Sequence, residues 1–130
     1  MNQIHTPLSK DAVIAIHTIT IQRFGGIDGI RDEQLLDSAL AQPFQTFDGD
    51  ELYPTIAGKG ARYAFGISAN HPFIDGNKRT AAAVLGAFLR LNRAQFKPRH
   101  ADLLNAMMGI ADGSLSCKEL EAWIEKELRG

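Results

Sequence analysis

The chain has 130 residues, 14 Lys plus Arg against 15 Asp plus Glu, 45% apolar residues and a single cysteine. This length and composition predict one compact domain over residues 1–130 and argue against disorder. The balanced charge argues against direct binding of nucleic acid or of an anionic membrane as the main function, because such partners select a basic surface. The charge is nevertheless uneven, since residues 71–100 contain six basic side chains and one acidic side chain.

The lone Cys117 cannot form an internal disulfide, so the chain does not depend on an oxidising compartment. The N-terminal residues lack a basic region followed by an apolar one, and no apolar run approaches 18 residues. We therefore expect a cytoplasmic protein without a membrane-spanning segment.

Glycine and proline divide the chain into segments of helical length, which predicts an all-α fold of about six helices. The first helix is expected to begin after Ser9, a residue type typical of an N-cap, and to stop at Gly25 and Gly26. The second is expected to start near Asp32 and to end at Pro43. The loop of residues 42–53 that follows is compatible with a small hairpin around its central Asp-Gly-Asp.

The remaining four helices have recognisable start signals. Pro54 is predicted to open the third helix, because proline suits the first helical position. The fourth begins near Asn77 and is apolar on most sides, which predicts a place in the centre of the domain. The fifth begins at His100, and Ser116 with Glu119 has the spacing of a capping box at the start of the sixth.

The segment from residue 71 to 80, His-Pro-Phe-Ile-Asp-Gly-Asn-Lys-Arg-Thr, combines groups suited to phosphate chemistry. The N-terminus of a helix favours anions, and Gly76 permits the positive φ of an anion-holding turn. Lys78 and Arg79 would be electrostatically misplaced at that end of a helix unless an anion were bound. Asp75 is a suitable Mg²⁺ ligand beside phosphates, and His71 can accept a proton near neutral pH.

The same residues are compatible with an ordinary loop that leads into a helix. In that interpretation Asp75 or Asn77 caps the helix, His71 bonds a backbone group, and Lys78 and Arg79 are solvated. In either interpretation we expect the two apolar residues between His71 and Asp75, Phe73 and Ile74, to anchor the loop in the core.

The combination resembles the Fic/Doc family, whose broad motif is H-x-F-x-[DE]-G-N-G-R-x-x-R and whose death-on-curing branch has Lys after the Asn. Seven motif positions match that branch: His71, Phe73, Asp75, Gly76, Asn77, Lys78 and Arg79. The likeness extends to residues 24–26, 29–32, 35–41 and 52–54 and to the segment around Trp123.

The resemblance implies an α-helical Fido fold and an enzyme that uses ATP and Mg²⁺ to modify a protein hydroxyl. It implies the following roles: general base for His71, Mg²⁺ ligand for Asp75, a phosphate-holding turn for Gly76 and Asn77, and charge neutralisation for Lys78 and Arg79. The loop of residues 42–53 corresponds to the family's flap, which can align a target peptide by strand pairing.

Two departures from the broad motif favour one reaction over another. Lys78 stands where nucleotidyl-transferring members have a second Gly, and Ala82 stands where they have a second Arg. Both changes are typical of the death-on-curing branch, for which the resemblance implies transfer of the terminal phosphate of ATP to a threonine of elongation factor Tu, with arrest of translation. The alternatives are transfer of AMP to a protein hydroxyl, and a catalytically silent module that keeps the fold as an interaction surface.

The resemblance also implies that the enzyme is the toxin of a toxin-antitoxin system, and its control is expected to come from outside the chain. No Glu is followed by Gly or Asn, so the inhibitory helix motif [ST]-x-x-x-E-[GN] of many Fic proteins is absent. The resemblance then implies a Phd-like antitoxin, whose disordered C-terminal segment folds as a helix in a groove that the sequence does not locate. Arg90, Arg93, Lys97 and Arg99 are candidates for partner contacts or for stabilising the end of a helix.

The other histidines are expected to be structural. His17 shares a side of the first helix with apolar residues, which predicts a buried and hydrogen-bonded imidazole. His5 and His100 have no Cys, His or Glu at the spacing of zinc ligands.

Overall fold

The computed structural model describes residues 4–129 and is dominated by helices. The helices are α1 (Lys10–Phe24), α2 (Glu33–Ala41), α3 (Ile56–Asn70), α4 (Asn77–Leu91), α5 (His100–Asp112) and α6 (Cys117–Arg129). The predicted all-α fold of six helices is confirmed. Within the described residues, no helix is both long enough and apolar enough to cross a bilayer.

Most helix starts follow from the predicted caps. The Ser9 hydroxyl accepts from the N–H of Ala12 at 3.1 Å, and Asp32 accepts from the N–H of Leu35 at 3.0 Å. At the start of α6, the Ser116 N–H donates to Glu119 at 2.9 Å, and the Glu119 N–H donates to the Ser116 hydroxyl at 3.1 Å. These bonds satisfy N–H groups that a helix cannot pair internally.

The start of α3 differs from the prediction. The helix begins at Ile56 rather than Pro54, because Thr55 is the N-cap and its hydroxyl accepts from the Gly58 N–H at 2.9 Å. Pro54 therefore lies just outside the helix. A side-chain cap at Thr55 outweighs the preference of proline for the first helical position.

The segment between α2 and α3 forms a small hairpin, with which its sequence is compatible. Pro43 lies in a short 3-10 turn, Gln42–Phe44, that continues α2. Two short antiparallel strands follow, β1 (Thr46–Phe47) and β2 (Asp50–Glu51). The turn between them places Asp48 and Gly49 at φ values of 56° and 84°, so the flap is a tight hairpin.

The core is built around α3 and α4, which pack against each other. The predicted central position of α4 is confirmed, and its buried face includes Leu85, Phe88 and Leu89. However, α3 is at least as central, since it also contacts α2, α5 and α6. Small residues allow this, as the Cα of Gly66 lies so close to α2 that an added Cβ would be 2.6 Å from the Cβ of Ala39.

Candidate active site

The loop between α3 and α4 begins at His71, the C-cap of α3. His71 has φ 51° and ψ 60°, a left-handed conformation, and its N–H donates to the carbonyl of Ile67 at 3.3 Å. The residue is half-buried. Since a left-handed residue changes the direction of the chain, α3 ends at His71 and the loop toward α4 begins there.

The N-terminus of α4 has no side-chain cap. Its N-cap is Gly76, with φ 75° and ψ 20°, and no side chain bonds the first turn. The alternative in which Asp75 or Asn77 caps this helix is therefore wrong. The first N–H groups of a helix need a partner, and an anion is a suitable one, so this end of α4 fits a phosphate.

Two cations lie in the first turn of α4. Lys78 and Arg79 are both exposed, and the Arg79 guanidinium lies over the ring of Phe24 with 4.0 Å between its Cζ and the ring centroid. A cation at a helix N-terminus opposes the helix dipole. The arrangement becomes favourable when a polyanion is bound there.

Asp75 is held by the loop that follows α1. Its Oδ2 accepts from the N–H of Ile27 at 2.8 Å, and the residue is half-buried. An added Cβ on Gly26 would lie 3.1 Å from the Cβ of Asp75, so this loop packs closely on the residue. The carboxylate fits a Mg²⁺ ion that takes its other oxygen ligands from phosphates and water, as Mg²⁺ commonly does.

The described residues contain no group of three His, Cys, Asp or Glu that could hold a metal by themselves. A metal in this loop would therefore depend on oxygen atoms of a bound substrate.

The Asn77 side chain is committed to the loop itself. Its Oδ1 accepts from the Phe73 N–H and its Nδ2 donates to the Phe73 carbonyl, both at 3.0 Å. Any phosphate contact of Asn77 would therefore come from its backbone N–H. Phe73 is fully buried, as predicted, whereas the expectation that Ile74 is also anchored in the core is wrong, since 44% of it is exposed.

Two residues that support this loop were missed as functional candidates. Arg31 donates from Nε to the His71 carbonyl at 2.6 Å and from Nη2 to the Asn70 carbonyl at 2.8 Å. His17 is buried, as predicted, and its Nε2 donates to the Asp75 carbonyl at 2.8 Å. Both lie 40 or more positions before the motif in the sequence. The only sequence signal for either is the family likeness of residues 29–32, which includes Arg31.

A groove of about 580 Å³ lies beside the motif, between α1, α4 and α5. Its floor is largely apolar and includes Ile16, Ala83 and Leu104. Its basic lining consists of Arg23, Arg79, Arg90, Lys97 and His100. Arg79 thus belongs both to the motif and to the groove.

The four cations beyond the motif lie in three places, the first of which is the turn after α4, where Arg93 has φ 63°. Arg90 and Lys97 line the groove. Arg99 instead forms an ion pair with Asp102 across the start of α5, with Nε and Oδ2 2.9 Å apart.

Comparison with known proteins identifies the family. Residues 7–89 match the family model described as "Fic/DOC family". The chain belongs to the Fic/Doc family, and the resemblance to its death-on-curing branch is confirmed.

Two curated relatives belong to this branch by name. A protein named "Toxin Doc" from Mycolicibacterium smegmatis (strain ATCC 700084 / mc(2)155) is 40% identical over 103 residues, which are 75% of this chain and 77% of the relative. "Protein kinase doc" from Escherichia phage P1 is 31% identical over 111 residues, 84% of this chain and 85% of the relative.

Proposed function

We propose that this chain is a death-on-curing-type toxin that transfers the terminal phosphate of ATP to a protein hydroxyl. The observation that carries the proposal is the uncapped first turn of α4, which follows the left-handed Gly76 and contains Lys78 and Arg79. The names of the two relatives, a toxin and a protein kinase, support both halves of the proposal. The target, a threonine of elongation factor Tu in the cytoplasm, is inferred from the family resemblance.

Each group of the site has a defined part in this reaction. The N–H groups of the first turn of α4 and the two cations hold the phosphates, and Asp75 would hold Mg²⁺, which neutralises charge on the phosphates when bound. His71 accepts the proton of the attacking hydroxyl. A bond forms between that hydroxyl oxygen and the γ-phosphorus, the bond from the γ-phosphorus to the bridging oxygen breaks, and ADP leaves. The contribution of the protein is mainly alignment and electrostatic stabilisation.

Lys78 favours phosphate transfer over nucleotidyl transfer. A side chain at this position crowds the turn that would hold the inner phosphates in nucleotidyl-transferring members, and it adds a charge. Lys78 is exposed in the first turn of α4, where it is available to a bound polyanion. Transfer of AMP is the second candidate reaction, and the isotope experiment below separates the two.

The test uses elongation factor Tu with ATP labelled on either the γ or the α phosphate. We expect label on the factor only from γ-labelled ATP, and label from the α position alone would refute the kinase. His71→Ala should lower transfer by about 10²-fold or more, since base catalysis contributes about 10²–10⁴-fold. Asp75→Asn should also lower transfer, because a neutral amide is a poorer Mg²⁺ ligand than a carboxylate. Lys78→Ala should lower transfer, whereas Lys118→Ala, on the exposed surface of α6, should not.

A growth assay tests the silent-module alternative. We expect the wild-type chain to arrest growth and His71→Ala to relieve the arrest. Arrest by both chains to the same extent would favour an interaction module and would count against the enzyme.

We further propose that the groove between α1, α4 and α5 receives the C-terminal helix of the Phd-like antitoxin. An apolar floor with a basic lining is complementary to an amphipathic helix that carries acidic residues beside its apolar face. Because Arg79 lines the groove, a helix seated there would also contact a residue of the proposed phosphate site. This gives the antitoxin a direct route to inhibition.

Binding of the antitoxin's C-terminal peptide to the purified chain tests this site. Ala87 lines the groove, so Ala87→Arg should fill part of it and weaken binding at least tenfold. Met108→Arg is the matched control, because Met108 is an exposed apolar residue of α5 that does not line the groove. If both variants weakened peptide binding equally, or if neither variant weakened it, the antitoxin would bind elsewhere.

A further inference from the structure

The guanidinium of Arg31 binds the end of α3 at the residue that carries the proposed base. Arg31 lies in the segment between α1 and α2, and its side chain crosses to the carbonyls of Asn70 and His71 at 2.8 and 2.6 Å. The last carbonyls of a helix have no partner within the helix, and a cation there also complements the helix dipole. The contact therefore acts as a C-terminal cap supplied from a distant part of the sequence.

The conformation at His71 needs such support. A residue other than glycine in the left-handed region is strained by about 1–2 kcal/mol, and it persists only where its surroundings fix it. The backbone angles at His71 decide where its Cβ, and hence the imidazole, points. The two bonds from Arg31 fix the carbonyls on either side of the His71 Cα, one of which belongs to His71 itself.

The backbone of the same segment holds the rest of the loop without help from the guanidinium. The N–H groups of Arg31 and Asp32 both donate to the Pro72 carbonyl, at 2.7 and 3.0 Å. The Ile74 N–H donates to the Gly29 carbonyl at 3.0 Å. Shortening the Arg31 side chain would leave these bonds in place, so its effect should be concentrated at His71.

We propose that Arg31 is a positioning residue that sets the orientation of His71 for proton transfer. This inference rests on the proposed phosphate transfer, in which His71 is the base. The hydrogen bonds of Arg31 go to the carbonyls of Asn70, His71 and Pro72, and none goes to the start of α4 or to the carboxylate of Asp75. It acts through two backbone carbonyls, and two parallel N–H bonds of this kind suit a guanidinium far better than an ammonium group.

The kinetic test compares Arg31→Ala and Arg31→Lys with the wild-type chain. We expect Arg31→Ala to lower kcat for transfer by about tenfold to a hundredfold, because a small misplacement of a catalytic group has effects of that size. The KM for ATP should change less than twofold, since the phosphate-holding groups lie on α4. Arg31→Lys should fall between, and Arg129→Ala, an exposed arginine in the last turn of α6, should equal the wild type.

Chemical rescue adds a readout that a general loss of stability would not give. Arg31 is exposed, so a small cation in solution can reach the space left by Arg31→Ala. Ethylguanidinium at non-denaturing concentration should restore part of kcat, and ethylammonium should not. An unchanged kcat in Arg31→Ala, a rise in KM alone, or equal effects of the two cations would overturn the proposal. If Arg31→Ala does not fold, Arg31→Lys decides the kinetic question.

A spectroscopic measurement separates this inference from the proposed activity. The imidazole signals of His71 in a ¹H–¹³C NMR spectrum can be assigned by their loss in His71→Ala. Arg31→Ala should shift those signals while the signals of His5 and His100 stay in place, and unshifted His71 signals would overturn the positioning role. If the wild-type chain transfers no label from ATP, the proposed function fails, while the NMR comparison still decides whether Arg31 orients His71.

Discussion

The imidazole of His17 stacks on the ring of Phe73, with 3.9 Å between the ring centroids and 6° between the ring planes. Its Nε2 donates to the carbonyl of Asp75, and its Nδ1 lies 3.3 Å from an oxygen of the Asp28 carboxylate. A single side chain of α1 thus contacts the loop at two positions, on either side of Ile74. This contact couples the middle of α1 to the backbone that carries the proposed metal ligand.

Replacing His17 tests the importance of that coupling. His17→Phe can keep the stacking but leaves the Asp75 carbonyl without its donor, which should lower the free energy of unfolding by about 1–3 kcal/mol. His17→Ala also removes the ring and leaves a cavity, so its loss should be larger, about 3 kcal/mol or more. Urea unfolding measures both, and a His17→Phe variant as stable as the wild type would show that the hydrogen bond contributes little.

The helix boundaries were the most predictable part of the fold, because their signals are local. Ser9, Asp32 and the pair of Ser116 and Glu119 cap their helices as the sequence indicates. Pro54 was misassigned because proline is common both inside and just before the first turn. Here the neighbouring Thr55 decides the boundary through its own hydrogen bond.

The motif was predictable for a similar reason, since its residues are contiguous. The side chains that support the motif were not predictable. Which side chain reaches Asn70 or Asp75 depends on how α1 and the following segment pack against the loop. Arg31 and His17 are ordinary helix or loop residues by every local criterion. Their roles become visible only when the three-dimensional contacts to residues 70–75 are known.

Lys59 is buried, although lysine is usually an exposed residue, and its ion pair with Glu51 can be tested. Its side chain is fully buried, and its Nζ lies 2.6 Å from the carbonyl of Tyr53 and 2.9 Å from Oε1 of Glu51 on β2. This ion pair ties the flap to α3. A buried charge that loses its partner is strongly destabilising, whereas replacing both members of a pair costs less.

We therefore expect Glu51→Ala to destabilise the fold by about 2 kcal/mol, less than a fully buried pair because Glu51 is partly exposed. The double variant Lys59→Met with Glu51→Ala should be more stable than Glu51→Ala alone. A thermodynamic cycle from urea unfolding of the four chains measures the coupling. Additive effects would mean that the ion pair does not hold the flap.

The close contact between α2 and α3 predicts opposite effects for two glycine substitutions. In Gly66→Ala the new Cβ would lie 2.6 Å from the Cβ and 2.9 Å from the Cα of Ala39, so backbone must move. We expect a loss of about 1–3 kcal/mol from overpacking. In Gly86→Ala the nearest group is the flexible Arg90 guanidinium at 3.6 Å, so the better helix propensity of alanine should leave stability equal or up to about 1 kcal/mol higher. Thermal melts of both variants would contradict this prediction if the two glycines behaved alike.

The capping box of α6 predicts a dependence of stability on pH. The backbone N–H of Ser116, and then its side chain, bond the Glu119 carboxylate and lower its pKa below the usual value. A lowered pKa in the folded state means that the stabilisation is present above the pKa of the unfolded chain and is lost as pH falls through the folded pKa.

Two variants separate the halves of this box. Ser116→Ala should cost about 1 kcal/mol at neutral pH, as loss of an N-cap usually does. Glu119→Gln keeps a neutral hydrogen-bonding group but loses the charge. The variant should therefore be less stable than the wild type at neutral pH, and the two stabilities should converge below the folded pKa of Glu119. Urea midpoints measured from pH 7 to pH 3 follow that convergence, and a constant difference across this range would mean that ionised Glu119 does not stabilise the start of α6.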